Sequence, residues 1–190
     1  MALRVIAGGA HGRPLAAPRG RRTPPTPALV RGALLNMIDQ RGWLADAFVL
    51  DLFAGSGALG IEALSRGARA AVFVEPQAAA VKALRANLTR TGLAGRSEVL
   101  SFGVSRALRT FARRGRAVDG IVAGPPYGEG WAGRTIREVL AAGVLAPEGW
   151  IALEHAVDEP VEPAPSLVVV QRRRYGRTAL TLLARPGDAT

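Results

Sequence analysis

The chain has 190 residues, of which 48% are hydrophobic, and this is enough for one domain with a substantial core. It has no cysteine, which excludes a disulfide framework and a thiolate metal site, and no apolar run is long enough to span a bilayer. The 25 basic and 15 acidic residues give a net charge of +10, which favours a polyanionic partner, nucleic acid first, over a small neutral substrate. We therefore expect a cytoplasmic monomer without a metal centre or a membrane anchor.

The N-terminal segment carries an uneven share of the positive charge. Residues 1–31 contain six arginines, and the first acidic residue is Asp39. Residues 3–7 are predicted to form a short strand, and glycines and prolines break regular structure from there to Pro27. Apolar residues at helical spacing then predict a helix over Ala28 to Ile38. We expect residues 1–40 to form a basic N-terminal arm with its helix, and residues 41–190 to form the main domain.

The basic arm allows two interpretations. It is either a solvated, flexible segment or an arm that holds RNA phosphates. Arginine suits the second interpretation because its guanidinium makes bidentate phosphate contacts and stacks on bases. The predicted RNA contacts are Arg4, Arg13, Arg22 and Arg31 in the arm, and Arg172, Arg173 and Arg174 in a second cluster near the C-terminus.

Strands and helices alternate through the centre of the chain. Apolar runs predict five strands, at Phe48 to Phe53, Ala70 to Glu75, Ser97 to Ser101, Val118 to Ala123 and Trp150 to His155. Helices are predicted over Ala58 to Arg66, from Pro76 to near Gly92, around Leu108 and Phe111, and up to Ala142. Two closing strands follow at Leu167 to Gln171 and Thr178 to Ala184, around a turn at Tyr175 and Gly176. This alternation predicts an α/β fold with a mostly parallel, seven-stranded sheet covered by helices on both faces.

A glycine-rich turn follows the first strand of this block. Asp51 lies near the strand end, and the chain continues into the pattern G-x-G-x-x-G from Gly55 to Gly60. Glycines allow a tight turn and a close approach of a ligand to the backbone, and the helix that follows offers free N–H groups. Glu75 ends the next strand, 20 residues after Gly55, where a carboxylate can accept both hydroxyls of a ribose.

This pattern alone also fits an enzyme that binds a nicotinamide dinucleotide. The position of Asp51 favours S-adenosylmethionine instead, because a carboxylate there can pair with the amino group of a methionine moiety. The long segment before the strand and a Pro-Pro-Tyr sequence later in the chain also favour that cofactor. The alternatives are that Asp51 is a helix cap or turn residue and that Glu75 is an exposed acid at a strand end. The predicted cofactor loop contains Asp51, Phe53, Ala54, Gly55, Ser56 and Gly57, with Glu75 and Pro76 on the next strand end.

The Pro-Pro-Tyr sequence follows the fourth predicted strand as Gly124, Pro125, Pro126 and Tyr127. In a doubly wound sheet this strand end lies beside the first strand, at the point where ligands bind. The Pro125 carbonyl can accept a hydrogen bond from an amino group of a base, and Tyr127 can stack on the base. These four residues are therefore the predicted catalytic loop, although an ordinary proline turn with a core tyrosine would have the same sequence.

These motifs together resemble one enzyme family over nearly the whole chain. The chain is similar to the bacterial 16S ribosomal RNA guanine-N2 methyltransferases of the RsmD type, which have the Rossmann-like class I fold. The matching stretches are Arg4 to Gly9, Gly12-Arg13, Pro25-Thr26, Val30-Arg31, Leu35-Asn36, Asp51 to Gly60, Glu62 to Gly67, Glu75 and Pro125 to Tyr127. The resemblance implies methyl transfer from S-adenosylmethionine to a guanine of the position-966 type in a small-subunit assembly intermediate.

Five positions in three regions depart from the pattern of that family. Its catalytic loop begins with Asp or Asn where this chain has Gly124, so a side-chain acceptor is missing. An acidic or amide residue near the adenine is replaced by Gly103, which is followed by Val104. In the arm, Asp, Arg and Glu of the family correspond to Ala28, Leu29 and Gly32. The resemblance therefore implies an active methyltransferase, and the departures leave a weakened or inactive RNA-binding homologue, or a changed substrate, as alternatives.

Overall fold

A mixed, mostly parallel sheet forms the centre of the molecule. The computed structural model describes residues 3–18, 27–159, 161–162 and 164–186. Its strands are β1 (Phe48–Leu52), β2 (Ala70–Val74), β3 (Ser97–Leu100), β4 (Val118–Ala123), β5 (Leu145–Ala156), β6 (Val168–Tyr175) and β7 (Thr178–Ala184). They form one seven-stranded sheet in the order β3-β2-β1-β4-β5-β7-β6, and β6 and β7 run antiparallel to their neighbours. The predicted fold class is confirmed.

Five helices cover the two faces of the sheet. They are α1 (Ala28–Asp39), α2 (Ala58–Ser65), α3 (Ala78–Thr91), α4 (Val104–Arg113) and α5 (Trp131–Ala142). Helices α1, α2 and α3 pack on one face and α4 and α5 on the other, so each face has its own buried apolar cluster. Neighbouring strand residues alternate between the clusters, with Val49 in the first and Leu50 in the second. No helix in the described part of the chain has the length and apolarity that crossing a membrane requires.

Several strands and helices begin or end a few residues from their predicted positions. Strand β5 begins at Leu145, ahead of the predicted Trp150, and β6 continues to Tyr175, past the predicted Gln171. Helix α3 begins at Ala78, because the chain is still extended at Gln77. The segment from Ala94 to Arg96 forms a 3₁₀ turn before β3. None of these shifts changes the order of the elements.

The predicted strand at residues 3–7 is wrong. This segment makes only an isolated antiparallel bridge between Arg4 and Pro14, within a short loop that folds back on itself. The N–H groups of Ile6 and Ala7 donate to the carboxylate of Glu62 at 2.8 and 2.9 Å, so a side chain takes the place of a neighbouring strand. The loop therefore packs against α2 through a buried carboxylate.

Glu62 also pairs with a buried arginine. Arg31 is fully buried, its Nε lies 3.9 Å from Glu62 Oε2, and its guanidinium donates to the Arg4 carbonyl at 2.5 Å. Burial lowers the pKa of Arg31, and the nearby charge of Glu62 opposes that effect. The prediction that Arg31 contacts RNA is therefore corrected, because its charge faces the interior and α2 rather than solvent.

We predict that Glu62→Gln destabilises the protein by about 3–5 kcal/mol, because it leaves the buried charge of Arg31 without its carboxylate. The side-chain amide of the new Gln would also place its own N–H groups against the backbone N–H groups of the N-terminal loop, which need an acceptor. The measurement is urea unfolding. The control is Glu98→Gln, whose side chain is 39% exposed and pairs with surface arginines, so its loss is expected to be below about 1 kcal/mol. Equal losses for the two variants would contradict the proposed role of Glu62.

Candidate active site at the carboxyl ends of the strands

The glycine loop after β1 is a strained turn that only glycine fits at two positions. Gly55 and Gly57 have φ values of 57° and 80°, in the left-handed region. A Cβ at Gly57 would lie 2.3 Å from the Leu84 side chain, so the loop packs directly on α3. Phe53, which is not a glycine, also has a positive φ of 66°. Strain of this kind is concentrated at functional sites, and here it turns the chain sharply between β1 and α2.

Two predicted acidic residues hold this loop in place. Asp51 is 1% exposed, and its Oδ2 accepts the Gly60 N–H at 2.9 Å. Glu75 is 5% exposed and accepts the N–H groups of Gly55 at 2.8 Å and Gln77 at 2.9 Å. The alternative of an exposed acid at the end of β2 is therefore wrong. A carboxylate has acceptor sites beyond two N–H groups, so Glu75 can also accept ribose hydroxyls at this edge.

Sequence reasoning missed Asn87, which joins the glycine loop to the N-terminal segment. Asn87 is fully buried on α3, and its amide donates to the carbonyls of Ser56 at 2.9 Å and Ala16 at 3.0 Å. Its Oδ1 accepts the Ala16 N–H at 2.7 Å. A polar residue among the apolar positions of a helix was the available signal, and it marks a satisfied structural amide here.

The Pro-Pro-Tyr loop lies next to the glycine loop, as predicted from strand order. Strand β4 pairs with β1, and a Cβ at Gly124 would lie 3.8 Å from Leu59 in the first turn of α2. Pro125 is buried, and Gly124, Pro126 and Tyr127 are partly exposed. The structure therefore brings the predicted catalytic loop and the helix of the cofactor loop into one site.

The hydroxyl of Tyr127 is fixed by two residues that the sequence did not identify. It donates to Glu154 Oε1 at 2.8 Å and lies 3.1 Å from Thr178 Oγ1. Burial raises the pKa of Tyr127; the Thr178 hydrogen bond opposes that rise and the nearby Glu154 carboxylate adds to it. The phenol therefore stays protonated at neutral pH and acts as a hydrogen-bond donor. These contacts of the hydroxyl also restrict the position of the Tyr127 ring.

The remaining predicted cofactor residues lie along the same edge with different surroundings. Gly103 immediately precedes α4 and is exposed, with no atom within 4 Å of a Cβ placed there, whereas Val104 is 5% exposed and belongs to the core. Pro76 is exposed after β2. Phe53 packs edge-on against Trp131 with the ring centroids 5.4 Å apart. Ala54 and Ser56 are buried inside the turn.

The predicted RNA-contact residues fall into two groups on the structure. Arg4 and Arg13 are exposed on the N-terminal loop, and Arg22 lies outside the described residues. Arg172 and Arg174 are exposed on β6, where Arg172 donates to the Val161 carbonyl and Arg174 to the Gly176 carbonyl. Arg173, between them, is partly buried.

A cavity of about 670 Å³ connects the second group to the catalytic loop. It is lined by Tyr127, Gly128, the segment Ala156–Glu159, Arg174 and Arg177. The Glu159 carboxylate accepts the N–H groups of Gly128 at 2.9 Å and Gly130 at 2.8 Å, which fixes the wall of the cavity. Arg174, Arg177 and the tyrosine of the predicted catalytic loop therefore line one cavity.

Two further features lie away from this edge of the sheet. Trp150 is 2% exposed and covers Gly120, where a Cβ would lie 2.0 Å from the indole ring. A second cavity of about 470 Å³ lies at the amino ends of the strands and is lined by Trp43, Arg69 and Asp119, among others. Within the described ranges, no group of three His, Asp or Glu side chains is arranged to hold a metal ion.

The strand order, the antiparallel β7 and the glycine loop after β1 define the Rossmann-like fold of class I S-adenosylmethionine-dependent methyltransferases. The chain belongs to the family described as "Conserved hypothetical protein 95", whose model matches residues 3–184.

Several named proteins are similar to this chain over nearly its whole length. "Putative rRNA methyltransferase YlbH" of Bacillus subtilis is 34% identical over 97% of this chain and 100% of the relative. "Ribosomal RNA small subunit methyltransferase D" of Escherichia coli is 35% identical over 96% of this chain and 90% of the relative. The solved structure of a "Putative methyltransferase yhhF" from Escherichia coli superimposes with a TM-score of 0.83 at 34% identity, covering 97% and 98% of the two chains.

We predict that Gly57→Ala lowers the affinity for S-adenosylmethionine at least about tenfold, because the new Cβ displaces the loop from Leu84. Calorimetric titration with the cofactor measures this. The matched control is Gly92→Ala, which has a similar φ of 74° but no atom within 4 Å of its Cβ. The control is expected to lose about 1–2 kcal/mol of stability and to keep its affinity. Equal affinities for the two variants would exclude the glycine loop as the binding element.

Proposed function

We propose that the chain transfers a methyl group from S-adenosylmethionine to the N2 amino group of a guanine in 16S ribosomal RNA, at a site of the position-966 type. It would act as a cytoplasmic monomer on a small-subunit assembly intermediate. The observation that carries this proposal is the meeting of the glycine loop and the Pro-Pro-Tyr loop at one sheet edge, next to an arginine-lined cavity. Relatives named as ribosomal RNA methyltransferases support RNA as the substrate class.

The residues at the ends of β1 and β2 fit the methyl donor. The glycine turn is compact, with the N–H of Gly55 bonded to Glu75, and Glu75 supplies a buried carboxylate for a diol. Asp51 holds the first turn of α2 at Gly60, so the loop keeps its shape before a ligand arrives. S-adenosylmethionine, when bound, supplies a methyl group on a positively charged sulfur. An amine nitrogen can attack the carbon of that methyl group.

The residues after β4 fit a planar amine. The Pro125 carbonyl has no partner in a regular helix or strand and can accept one N–H of the guanine amino group. Tyr127 offers its ring for stacking, with its hydroxyl fixed by Glu154. The guanine must leave its stack or lie in an open loop to reach this site. Catalysis then depends mainly on holding the amine in line with the methyl group.

The charge around the cavity fits an RNA backbone. Arg174 and Arg177 line the cavity next to Tyr127, and Arg172 is exposed further along β6. Phosphates on either side of an extruded base lie within reach of such a surface, and their contacts provide affinity without reading sequence. The exposed Arg4 and Arg13 extend the positive charge along the N-terminal loop.

A second candidate is an RNA-binding protein that transfers no methyl group. Two glycines favour it: Gly124 offers no side-chain acceptor to the amine, and Gly103 offers none to an adenine. This protein would keep the arginine surface and bind an assembly intermediate, so the two candidates differ in transfer and not in RNA affinity.

We predict that the chain, incubated with labelled S-adenosylmethionine and 30S particles that lack the modification, places label on a guanine N2. The position is determined by nuclease digestion and mass spectrometry of the nucleosides. Already methylated 30S particles are the control and should accept no label. RNA binding without transfer would favour the second candidate, and the absence of both would exclude both candidates.

We predict that Arg177→Gln weakens RNA binding and lowers the slope of log affinity against log salt by about 0.7–0.9, the contribution of one phosphate contact. Filter binding at several salt concentrations measures both effects. Arg113→Gln is the control, because Arg113 is exposed in the last turn of α4, away from the cavity. Loss of affinity with an unchanged salt slope would contradict a phosphate contact at Arg177.

A further inference from the structure

Glu154 brings a buried carboxylate to the catalytic loop from the neighbouring strand. It lies near the end of β5, which pairs in parallel with β4, and the register places Leu153 opposite Ala123. Glu154 is only 6% exposed. Its Oε2 lies 3.7 Å from the position that a Cβ would occupy at Gly124. A carboxylate thus stands next to the first residue of the loop, where that residue has no side chain.

The same carboxylate contacts the loop at its other end. Oε1 of Glu154 accepts the Tyr127 hydroxyl at 2.8 Å, so the two oxygens span the loop from Gly124 to Tyr127. Each carboxylate oxygen can accept more than one hydrogen bond, so a carboxylate that already has partners can still accept from a further donor. An amine held between Tyr127 and the Pro125 carbonyl would direct its second N–H toward this carboxylate.

A hydrogen-bond acceptor becomes more important during methyl transfer to an amine, because the nitrogen becomes positively charged. The nitrogen forms the new N–C bond with its lone pair, the C–S bond breaks with its electrons left on sulfur, and the positively charged nitrogen then releases one proton. A negatively charged acceptor stabilises the charge that develops on nitrogen, and such charge-assisted hydrogen bonds are stronger than neutral ones. A buried amine N–H without a partner would instead oppose the reaction.

We propose that Glu154 is a catalytic residue whose carboxylate accepts a hydrogen bond from the target amino group and takes its proton after transfer, which it then passes to water. This inference rests on the proposed function. Glu154 thereby supplies the acceptor that Gly124 cannot, and it orients Tyr127 through the same side chain.

The first test is Glu154→Gln, which keeps the shape of the side chain and removes its charge. We expect kcat for methyl transfer to 30S particles to fall about 10- to 100-fold, while KM for S-adenosylmethionine changes less than about twofold. Glu148→Gln is the matched control, because Glu148 is an exposed residue at the other end of β5. Full activity of Glu154→Gln would overturn the inference.

The second test places an acceptor on the loop itself. The loop has room for a Cβ at Gly124, because the nearest atoms lie at ordinary contact distance from it. In the Glu154→Gln background, Gly124→Asn should recover about tenfold in kcat, and in the wild-type background it should bring no comparable gain. A large gain in the wild type would overturn the inference, and this outcome can be measured even if Glu154→Gln does not fold.

The third test distinguishes a direct hydrogen bond between the amine and Glu154 from an indirect effect of Glu154 on the position of Tyr127. If Glu154 acted only through Tyr127, then Tyr127→Phe would lower kcat as much as Glu154→Gln, and the double variant would lose no more. We expect a smaller loss for Tyr127→Phe and a further loss in the double variant. Transfer by neither the wild type nor Gly124→Asn would overturn the proposed function, whereas transfer by Gly124→Asn alone would keep that function and overturn the role of Glu154.

Discussion

The buried carboxylate of Glu62 holds together the elements that pack next to the predicted cofactor loop. A carboxylate without partners in the interior would cost far more than one domain can tolerate, so its position requires several donors. Arg66 supplies one at 3.1 Å, the N–H groups of Ile6 and Ala7 supply two more, and Arg31 adds a buried positive charge. The N-terminal loop, α1 and α2 are therefore held together by one side chain.

This constraint bears on the site because α2 begins at the glycine loop. Gly57 is the residue immediately before the helix, and Gly60 in its first turn donates to Asp51. Glu62 holds α2, and Asn87 holds the loop residue Ser56 just before it, so the strained turn at Phe53 has little freedom to relax. The described part of the N-terminal segment, residues 3–18, is thus packed framework rather than a free arm.

Strong local signals explain which features were predictable from the sequence. The strands and helices of the central block follow from apolar periodicity, and strands β4 and β7 have the predicted bounds. The glycine loop and the Pro-Pro-Tyr loop carry backbone requirements that few residues meet, and parallel topology brings both to one edge. The sequence therefore predicted the candidate site through its loops.

Contacts between distant elements explain what was not predictable. Nothing in the sequence near Arg31 distinguishes it from surface arginines, because its partners Glu62 and Arg4 come from other elements. Residues 3–7 are apolar enough for a strand, but their N–H groups pair with a side chain 55 or 56 positions away. Glu154 ends a strand like many other acids, and its contact with Tyr127 depends on the register of three strands.

In the proposed mechanism, the location of Glu154 also explains how the predicted catalytic loop can begin with glycine. Residue 124 is on a loop, whereas β5 is paired on both sides, with Leu153 opposite Ala123 of β4 and Glu154 opposite Leu180 of β7. Functional groups on paired strands are held more precisely than those on loops, and charge stabilisation depends on such fixed geometry. The absence of a side chain at Gly124 and the presence of the carboxylate behind it are therefore two parts of one arrangement.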